Sequence, residues 1–272
     1  MNNLVMRCYK RLIWISYSII PLFARRWRVK CKAGKSFSLE LNTAHEVHRA
    51  VTFHEKEPEM IEWINSLSGK CASDPIVFYD IGANIGIYSL YAASLYSDAS
   101  VYSFEPQSTN FSSLCLNIAR NHFENVLPLQ LALSDSERID VLHVGVMAAG
   151  AGAASVGEEY SFHRKDIGFK QGICCTSLND LWEKKFIKRP NFIKIDVDGH
   201  EAKILDGGGL VWSDRYLKGV LIEFEYTADS AVEELINRMQ SHGLAFIKAS
   251  EWIERSAARK SMIRNFIFER LT

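Results

Sequence analysis

An α/β fold, with a mostly parallel sheet covered by helices on both faces, is predicted by three features of the sequence. Short apolar runs of strand length alternate with segments of helical period from Ile76 to Phe268, the rhythm of parallel strands joined by crossover helices. The stretch VFYDIGANIGIYSLYAA, Val77 to Ala93, begins as a strand, turns through two glycines and continues as a helix. Acidic residues, Asp80, Glu105 and Asp196, close three of the apolar runs, and the strand-to-helix turns at that edge of an open sheet are where ligands bind.

The elements follow in order. Phe37 to Leu41 alternates apolar and polar side chains and reads as a half-buried strand. EPEMIEWINSL places Met60, Ile64 and Leu67 on one helical face, with Pro58 in the first turn, where its missing N–H is not needed. The core then runs strand Ile76–Tyr79, helix to about Leu95, strand Val101–Phe104, helix Thr109–Asn121 and strand Val126–Leu131. VGVMAAGAGAASVGEEY, Val144 to Tyr160, is rich in Gly and Ala and is expected to be a mobile loop, either covering a substrate or simply tolerating insertion. Beyond it lie a short strand Ile173–Cys175, a capped helix TSLNDLWEK, the apolar strand Phe192–Ile195 and a helix from Glu201. Strand Gly219–Phe224, helix Ala231–Ser241 and two strands near Ala245–Lys248 and Asn265–Phe268 complete the pattern. The expected organisation is an N-terminal segment, residues 1–36, and one domain, residues 37–272. Within that domain, 37–75 form a strand and helix ahead of a core at 76–272.

The chain has 272 residues, 47% of them hydrophobic, with 32 basic and 32 acidic side chains, which supports a substantial core and argues against disorder. The neutral total conceals an asymmetry: nine Lys or Arg residues and no acid precede Glu40. Inside this basic stretch the apolar run LIWISYSIIPLF, Leu12 to Phe23, is too short to span a bilayer and contains Pro21. It leads straight into ARRWRVK without a small-residue cleavage site, so export is not expected and the protein is placed in the cytoplasm. The segment suits a position against anionic lipid at the inner membrane face, or a helix packed on its own domain. Six cysteines, Cys8, Cys31, Cys71, Cys115, Cys174 and Cys175, show no CxxC spacing and are expected to be reduced. His45, His48 and His54 lack zinc spacing with cysteine and read as surface or core residues.

Gly82 lets the first turn bend sharply and lets backbone approach a ligand, while Gly86 allows the following helix to pack closely. Asp80 and Glu105 are expected side by side at the ligand edge. A carboxylate at the second strand end accepts hydrogen bonds from ribose hydroxyls, which points to an adenosine-type ligand. A pyrophosphate beside Asp80 would be repelled, and Asn84 replaces the middle glycine of GxGxxG. Both features disfavour a nicotinamide dinucleotide and favour a ligand with a positive centre, S-adenosylmethionine.

The motifs DIGANIGIYSL, SFEPQ, LNIARN, LALSD, TSLNDL and FIKIDVDGHEAKILDGG, in this order, resemble those of FkbM-type methyltransferases over roughly Val77 to Glu225. The resemblance implies a Rossmann-like class I methyltransferase fold, a seven-stranded mostly parallel sheet with the last strand antiparallel. It also implies S-adenosylmethionine as donor and a hydroxyl acceptor on a sugar, glycoconjugate or secondary metabolite. By similarity Asp80, Gly82, Asn84 and Gly86 would surround the methionine part, Glu105 the ribose, and Ser134 and Asp135 the adenine. Asp198 stands where the family more often has Glu.

IKIDVDGHE gathers Asp196, Asp198, His200 and Glu201 after an apolar strand, and LIEFEY adds Glu223 and Glu225. Methyl transfer to a hydroxyl needs alignment, on the order of 7–11 kcal/mol, and a base, typically worth about 10²–10⁴-fold. His200, then Asp198 and Glu201, are the candidate bases, and Asp196 is expected to touch the cofactor. Glu201 would equally complement a helix N-terminus, and His200 would equally be a surface turn residue. A divalent cation on Asp196 and Glu223 is disfavoured, so no metal site is expected. Two other functions stay open. A nucleic-acid methyltransferase would use the basic N-terminus for phosphate contacts, although DVDG lacks the proline pair typical of enzymes that methylate exocyclic amino groups. A non-catalytic, membrane-recruited scaffold would keep the fold alone. The oligomeric state stays open.

Overall fold

The computed structural model describes residues 13–22, 25–71, 74–152, 154–157, 168–251, 254–256 and 261–271. Cys8, the other residues of 1–12, and residues 158–160 at the end of the Gly/Ala stretch lie outside the described residues. Helix α1 covers residues 13–22, and a hairpin follows, β1 (Arg26–Lys30) against β2 (Ser36–Glu40). The hairpin straddles the boundary expected at residue 36, and Val29, Phe37 and Leu39 from it are buried in the core. Next come α2 (Ala44–Lys56) and α3 (Pro58–Asn65). Helix α2 is absent from the expected order. Its start is a capping box: Thr43 Oγ1 accepts from the Glu46 N–H at 3.1 Å while Glu46 Oε2 accepts from the Thr43 N–H at 2.9 Å.

The core runs β3 (Val77–Ile81), α4 (Ile87–Leu95), β4 (Ser100–Phe104), α5 (Ser108–Asn121) and β5 (Val126–Leu129). The strand expected to continue to Leu131 stops at Leu129, and the chain leaves the sheet into β6 (Ala132–Ser134). Pro128 is accommodated because β5 is an edge strand. Strands β7 (Arg138–Val144), β8 (Ala154–Val156) and β9 (Phe169–Ser177) join β6 in a second sheet, ordered β6-β9-β7-β8. This small sheet was not expected. In β9 the adjacent Cys174 and Cys175 are free, one exposed and one buried, as alternating strand residues are.

The chain continues through α6 (Leu178–Lys184), β10 (Phe192–Ile195), α7 (Glu201–Asp206), α8 (Gly209–Trp212), β11 (Gly219–Tyr226), α9 (Asp229–Ser241), β12 (Leu244–Ala249), β13 (Glu254–Ser256) and β14 (Ser261–Arg270). The large sheet has the order β12-β14-β11-β10-β3-β4-β5, with β13 pairing off β14. From β11 to β5 all pairs are parallel, while β14, the last strand of the chain, is antiparallel to both neighbours.

Alternation along the strands divides the core in two. Phe78, Val101, Phe192 and Leu221 point to one face and pack with α2, α3, α4 and α5. Their neighbours Tyr79, Tyr102, Ile193 and Ile222 point to the other and pack with α6, α7, α8 and α9. Burial on both faces is what near-continuous apolar parallel strands require.

Candidate active site

A cavity of about 820 Å³ opens beyond the carboxyl ends of β3, β4, β10 and β11, between the sheet edge, α2 and the Gly/Ala loop. The turn after β3 forms its floor. Gly82 has φ +76°, and a Cβ there would lie 1.9 Å from the Asp196 carbonyl oxygen, so only glycine allows this turn to sit against the end of β10. Asn84, at φ +52°, donates its backbone N–H to Glu105 Oε2 at 2.8 Å and its side-chain amide to the Ala151 carbonyl at 3.0 Å. Gly86 does not line the cavity. Its φ is +88°, and a Cβ would lie 2.4 Å from Leu114, so its close packing is against α5.

Glu105 lies one residue past β4 and lines the cavity. Its Oε1 accepts from the Gln107 N–H at 2.8 Å, so each oxygen takes one backbone donor and keeps a lone pair for a ligand. Burial raises its pKa to about 7, against the pull of those two hydrogen bonds.

Asp80 is placed differently from expectation. Strand β3 runs past Asp80 to Ile81, two residues beyond the expected end at Tyr79, and register sets Asp80 between Ser103 and Lys194 in a row across three strands. The carboxylate is buried beneath α4, pairs with Lys194 Nζ at 2.9 Å and accepts from Ser89 Oγ at 2.6 Å. It does not line the cavity, and Lys194 balances the negative charge that was expected to repel a pyrophosphate. Burial alone would lower the Lys194 pKa, but Asp80 and Asp196 reverse that and raise it.

Asp196 and Glu223, which register brings to neighbouring strand ends, both line the cavity and hydrogen-bond each other. Burial and then Asp196 push the Glu223 pKa well up. For Asp196 burial acts upward, yet Lys194 and Lys56 outweigh it and the net direction is down. Among the described residues no group of three His, Cys, Asp or Glu is arranged to hold a metal ion.

Asp198, at φ +54°, and His200 line the cavity in the turn before α7. Ser134 and Asp135, expected beside an adenine, do not line it; they hold His200. Ser134 Oγ donates to Asp135 Oδ1 at 3.2 Å, accepts from Arg138 Nη2 at 3.0 Å and lies 2.9 Å from His200 Nε2. With its proton given to Asp135, Ser134 accepts from Nε2–H, which selects the tautomer that leaves Nδ1 unprotonated. Burial, then Arg138, lower the His200 pKa and keep the ring neutral at pH 7. Glu201 does not line the cavity either. It is buried and accepts from the Gly199 N–H at 3.0 Å, closing the turn at the start of α7, and burial raises its pKa to about 7.

The wall opposite the sheet is α2, which sequence reasoning missed. His45, His48, Arg49, Thr52, Phe53 and Lys56 recur at helical spacing and all line the cavity. Lys56 pairs with Glu57 at 2.9 Å, and the Tyr88 hydroxyl donates to the other Glu57 oxygen. Trp14 of α1 also lines the cavity and stacks on His48 at 5.8 Å. The Gly/Ala loop is anchored rather than loose over its described residues. Thr43 Oγ1 donates to Ala149 O at 2.6 Å, Arg49 Nε to Gly150 O at 2.7 Å, and the Gly150 N–H donates to Asn110 Oδ1 at 2.9 Å.

A family model described as the methyltransferase FkbM domain matches residues 80–245. This chain belongs to the FkbM methyltransferase family. A hexuronic acid methyltransferase, AglP, of Haloferax volcanii is 32% identical over 136 residues, covering 50% of this chain and 51% of that protein. The chain thus spans about half the length of that curated relative. The crystal structure of a SAM-dependent methyltransferase from Agrobacterium tumefaciens matches with TM-score 0.52 at 12% identity, over 92% of this chain and 71% of that one. That likeness shows a shared fold.

The residues lining this cavity fit S-adenosylmethionine. Glu105 would offer acceptors to ribose hydroxyls, and Ile81, Phe104, Leu133 and Leu142 form an apolar wall that would suit a base. Asp196 and Asp198 supply the negative charge that Asp80 does not.

Proposed function

We propose that this chain transfers a methyl group from S-adenosylmethionine to an oxygen of a sugar or sugar-bearing acceptor. One observation carries the reading: Glu105 stands at the wall of the cavity, held by the backbone of the Gly82–Asn84 turn, where a nucleoside's ribose would lie. The acceptor class is supported by the hexuronic acid methyltransferase among its relatives. When bound, the donor presents an electrophilic methyl carbon on a positive sulfur. His200 then takes the proton of an acceptor hydroxyl on Nδ1, since its ring is neutral and Nε2 is committed to Ser134. Asp198 is the second candidate for that step, whereas Glu201 is occupied in the turn. Trp14 and the α2 side chains facing the sheet edge would orient the acceptor, and alignment is the larger part of the rate gain. We place the reaction in the cytoplasm, peripheral to a membrane, on the strength of the basic and apolar N-terminal stretch.

Titration calorimetry with S-adenosylhomocysteine is the first test. Binding should weaken about 10–100-fold in Glu105→Ala, the loss of charged hydrogen bonds. Methyl-labelled donor incubated with native-host extracts should then label a carbohydrate fraction, and His200→Ala should slow that labelling without weakening donor binding. Binding of NADH in place of S-adenosylhomocysteine would overturn the reading.

A further inference from the structure

We propose that α1 and strand β1 form a docking face for an anionic lipid bilayer. The inner side of α1 is held by the protein: Tyr17 and Ile20 pack on the core, and Trp14 lies against His45 and His48. Its outer side is apolar as well. Ile15 is 49% exposed, Ile19 45% and Leu22 77%, with Trp14 39% exposed at the edge of the cavity. The two serines on that side, Ser16 and Ser18, donate to carbonyls of their own helix, to Ile13 O at 2.6 Å and Trp14 O at 2.9 Å. The helix therefore offers neither charge nor spare hydroxyl protons outward. A helix that is apolar all round needs an apolar neighbour on both sides.

Charge selects the neighbour. Arg25, Arg26, Arg28, Lys30, Lys32 and Lys35 are exposed, and no acidic residue precedes Glu40 in the sequence. Arg25 follows Leu22 by three residues, so its Cα lies within about 11 Å of the most exposed leucine, on the order of one screening length. Trp27, also exposed, lies between Arg26 and Arg28 along strand β1, and tryptophan favours the boundary between apolar and wet layers. An apolar helix face with adjoining cations matches the acyl boundary and headgroups of an anionic leaflet. The ten described residues of α1 extend about 15 Å, and among the described residues no helix is long and apolar enough to cross a membrane, so under this proposal α1 lies in the interface. Because Trp14 belongs to both α1 and the cavity wall, docking brings the cavity close to the lipid surface.

The test is co-sedimentation of the full chain with vesicles of phosphatidylcholine alone or mixed with phosphatidylglycerol, at low and high salt. The expected result is binding to the mixed vesicles, weakened by salt, with little binding to phosphatidylcholine. Replacing Arg25, Arg26 and Arg28 together by Ser should reduce partitioning about 100-fold, and Ile15→Ser with Ile19→Ser and Leu22→Ser by at least about tenfold. Circular dichroism melts and S-adenosylhomocysteine binding verify that each variant is folded, and the parent's salt dependence reads the charge contribution without any variant. Absence of binding to mixed vesicles at low salt overturns the proposal, as does binding that neither set of substitutions weakens. Two other outcomes also overturn it: dimerisation abolished by the apolar substitutions with vesicle binding unchanged, and salt-sensitive RNA binding in place of vesicle binding. The methyl-transfer reading is separable, since S-adenosylhomocysteine binding persists or fails independently of the vesicles.

Discussion

Replacing Asp80 by Ala would take from the Lys194 ammonium, 1% exposed, its closer carboxylate in the row Ser103, Asp80, Lys194, leaving it Asp196 at 3.4 Å and the Gly82 carbonyl at 3.0 Å. Breaking a buried pair by removing one charge costs about 3–5 kcal/mol, because the survivor is still desolvated. We expect Asp80→Ala to lower the urea midpoint strongly, and Lys194→Met in the same background to recover much of that loss. S-adenosylhomocysteine binding by the folded fraction of the single variant should fall less than tenfold. An unchanged midpoint with abolished ligand binding would instead return Asp80 to the cavity wall. From the sequence, Asp80 could be located at a strand end but its direction could not. That depends on β3 running past Asp80 to Ile81 and on which residue of β10 lies opposite, both long-range facts. Glu105, one residue beyond its strand, kept the position expected of it.

At the level of elements, the apolar strands and their crossover helices were legible because each carries its own period: Phe192–Ile195 is a strand in both readings. What escaped was written in polar residues. Helix α2 begins with Thr-Ala-His-Glu, a capping-box signal that could have been read, but Val47, Ala50 and Phe53 give it only a narrow core-facing stripe, and His45, His48, Arg49, Thr52 and Lys56 beside that stripe face a cavity. The small sheet escaped for another reason: β7 and β9 pair across an intervening segment of more than twenty residues, and Ile139 stays exposed on its outer face. The Gly/Ala loop looked mobile from composition, yet its glycines serve close approach. A Cβ on Gly150, φ +82°, would lie 2.7 Å from the Glu46 nitrogen at the start of α2. Gly150→Ala should therefore part the loop from α2 and weaken S-adenosylhomocysteine binding about tenfold, with the far-UV spectrum unchanged. Gly172→Ala, where a Cβ meets nothing within 4 Å, is the control expected to do little. Equal affinity in the two variants would show that the loop contact does not shape the cavity.

Taken over the whole molecule, buried acids at the cavity and in the turn beside it have raised pKa values. Burial raises Glu105 and Glu201 to about 7, and burial, then Asp196, raise Glu223 well above the usual carboxylate range. An acid whose folded pKa exceeds its unfolded value near 4.5 binds more protons in the native state between those two values, so unfolding free energy falls as pH rises through that window. For Glu105 and Glu201 the window is roughly pH 5 to 7, with a slope of up to about 1.4 kcal/mol per pH unit for each group. At the acid end Asp135 acts in the opposite sense: Lys203 leads the contacts that hold its pKa down, and the stability they give is lost below pH 4. The ligand-free protein should thus be most stable near pH 5, and its urea midpoint should drop on going to pH 8. Glu105→Gln should make that drop shallower by one group. Ribose hydroxyls donate more strongly to a carboxylate than to a carboxylic acid, whose proton also takes up one acceptor position, so S-adenosylhomocysteine affinity should rise with pH up to about 7, by as much as tenfold per unit. Stability of the free protein and affinity for the nucleoside then run in opposite directions over the same pH range, through the same side chain. A denaturation series at pH 5, 6, 7 and 8 with and without S-adenosylhomocysteine reads both. A midpoint flat across that range, or an affinity unchanged by pH in the parent, would mean that Glu105 is already ionised in the empty cavity.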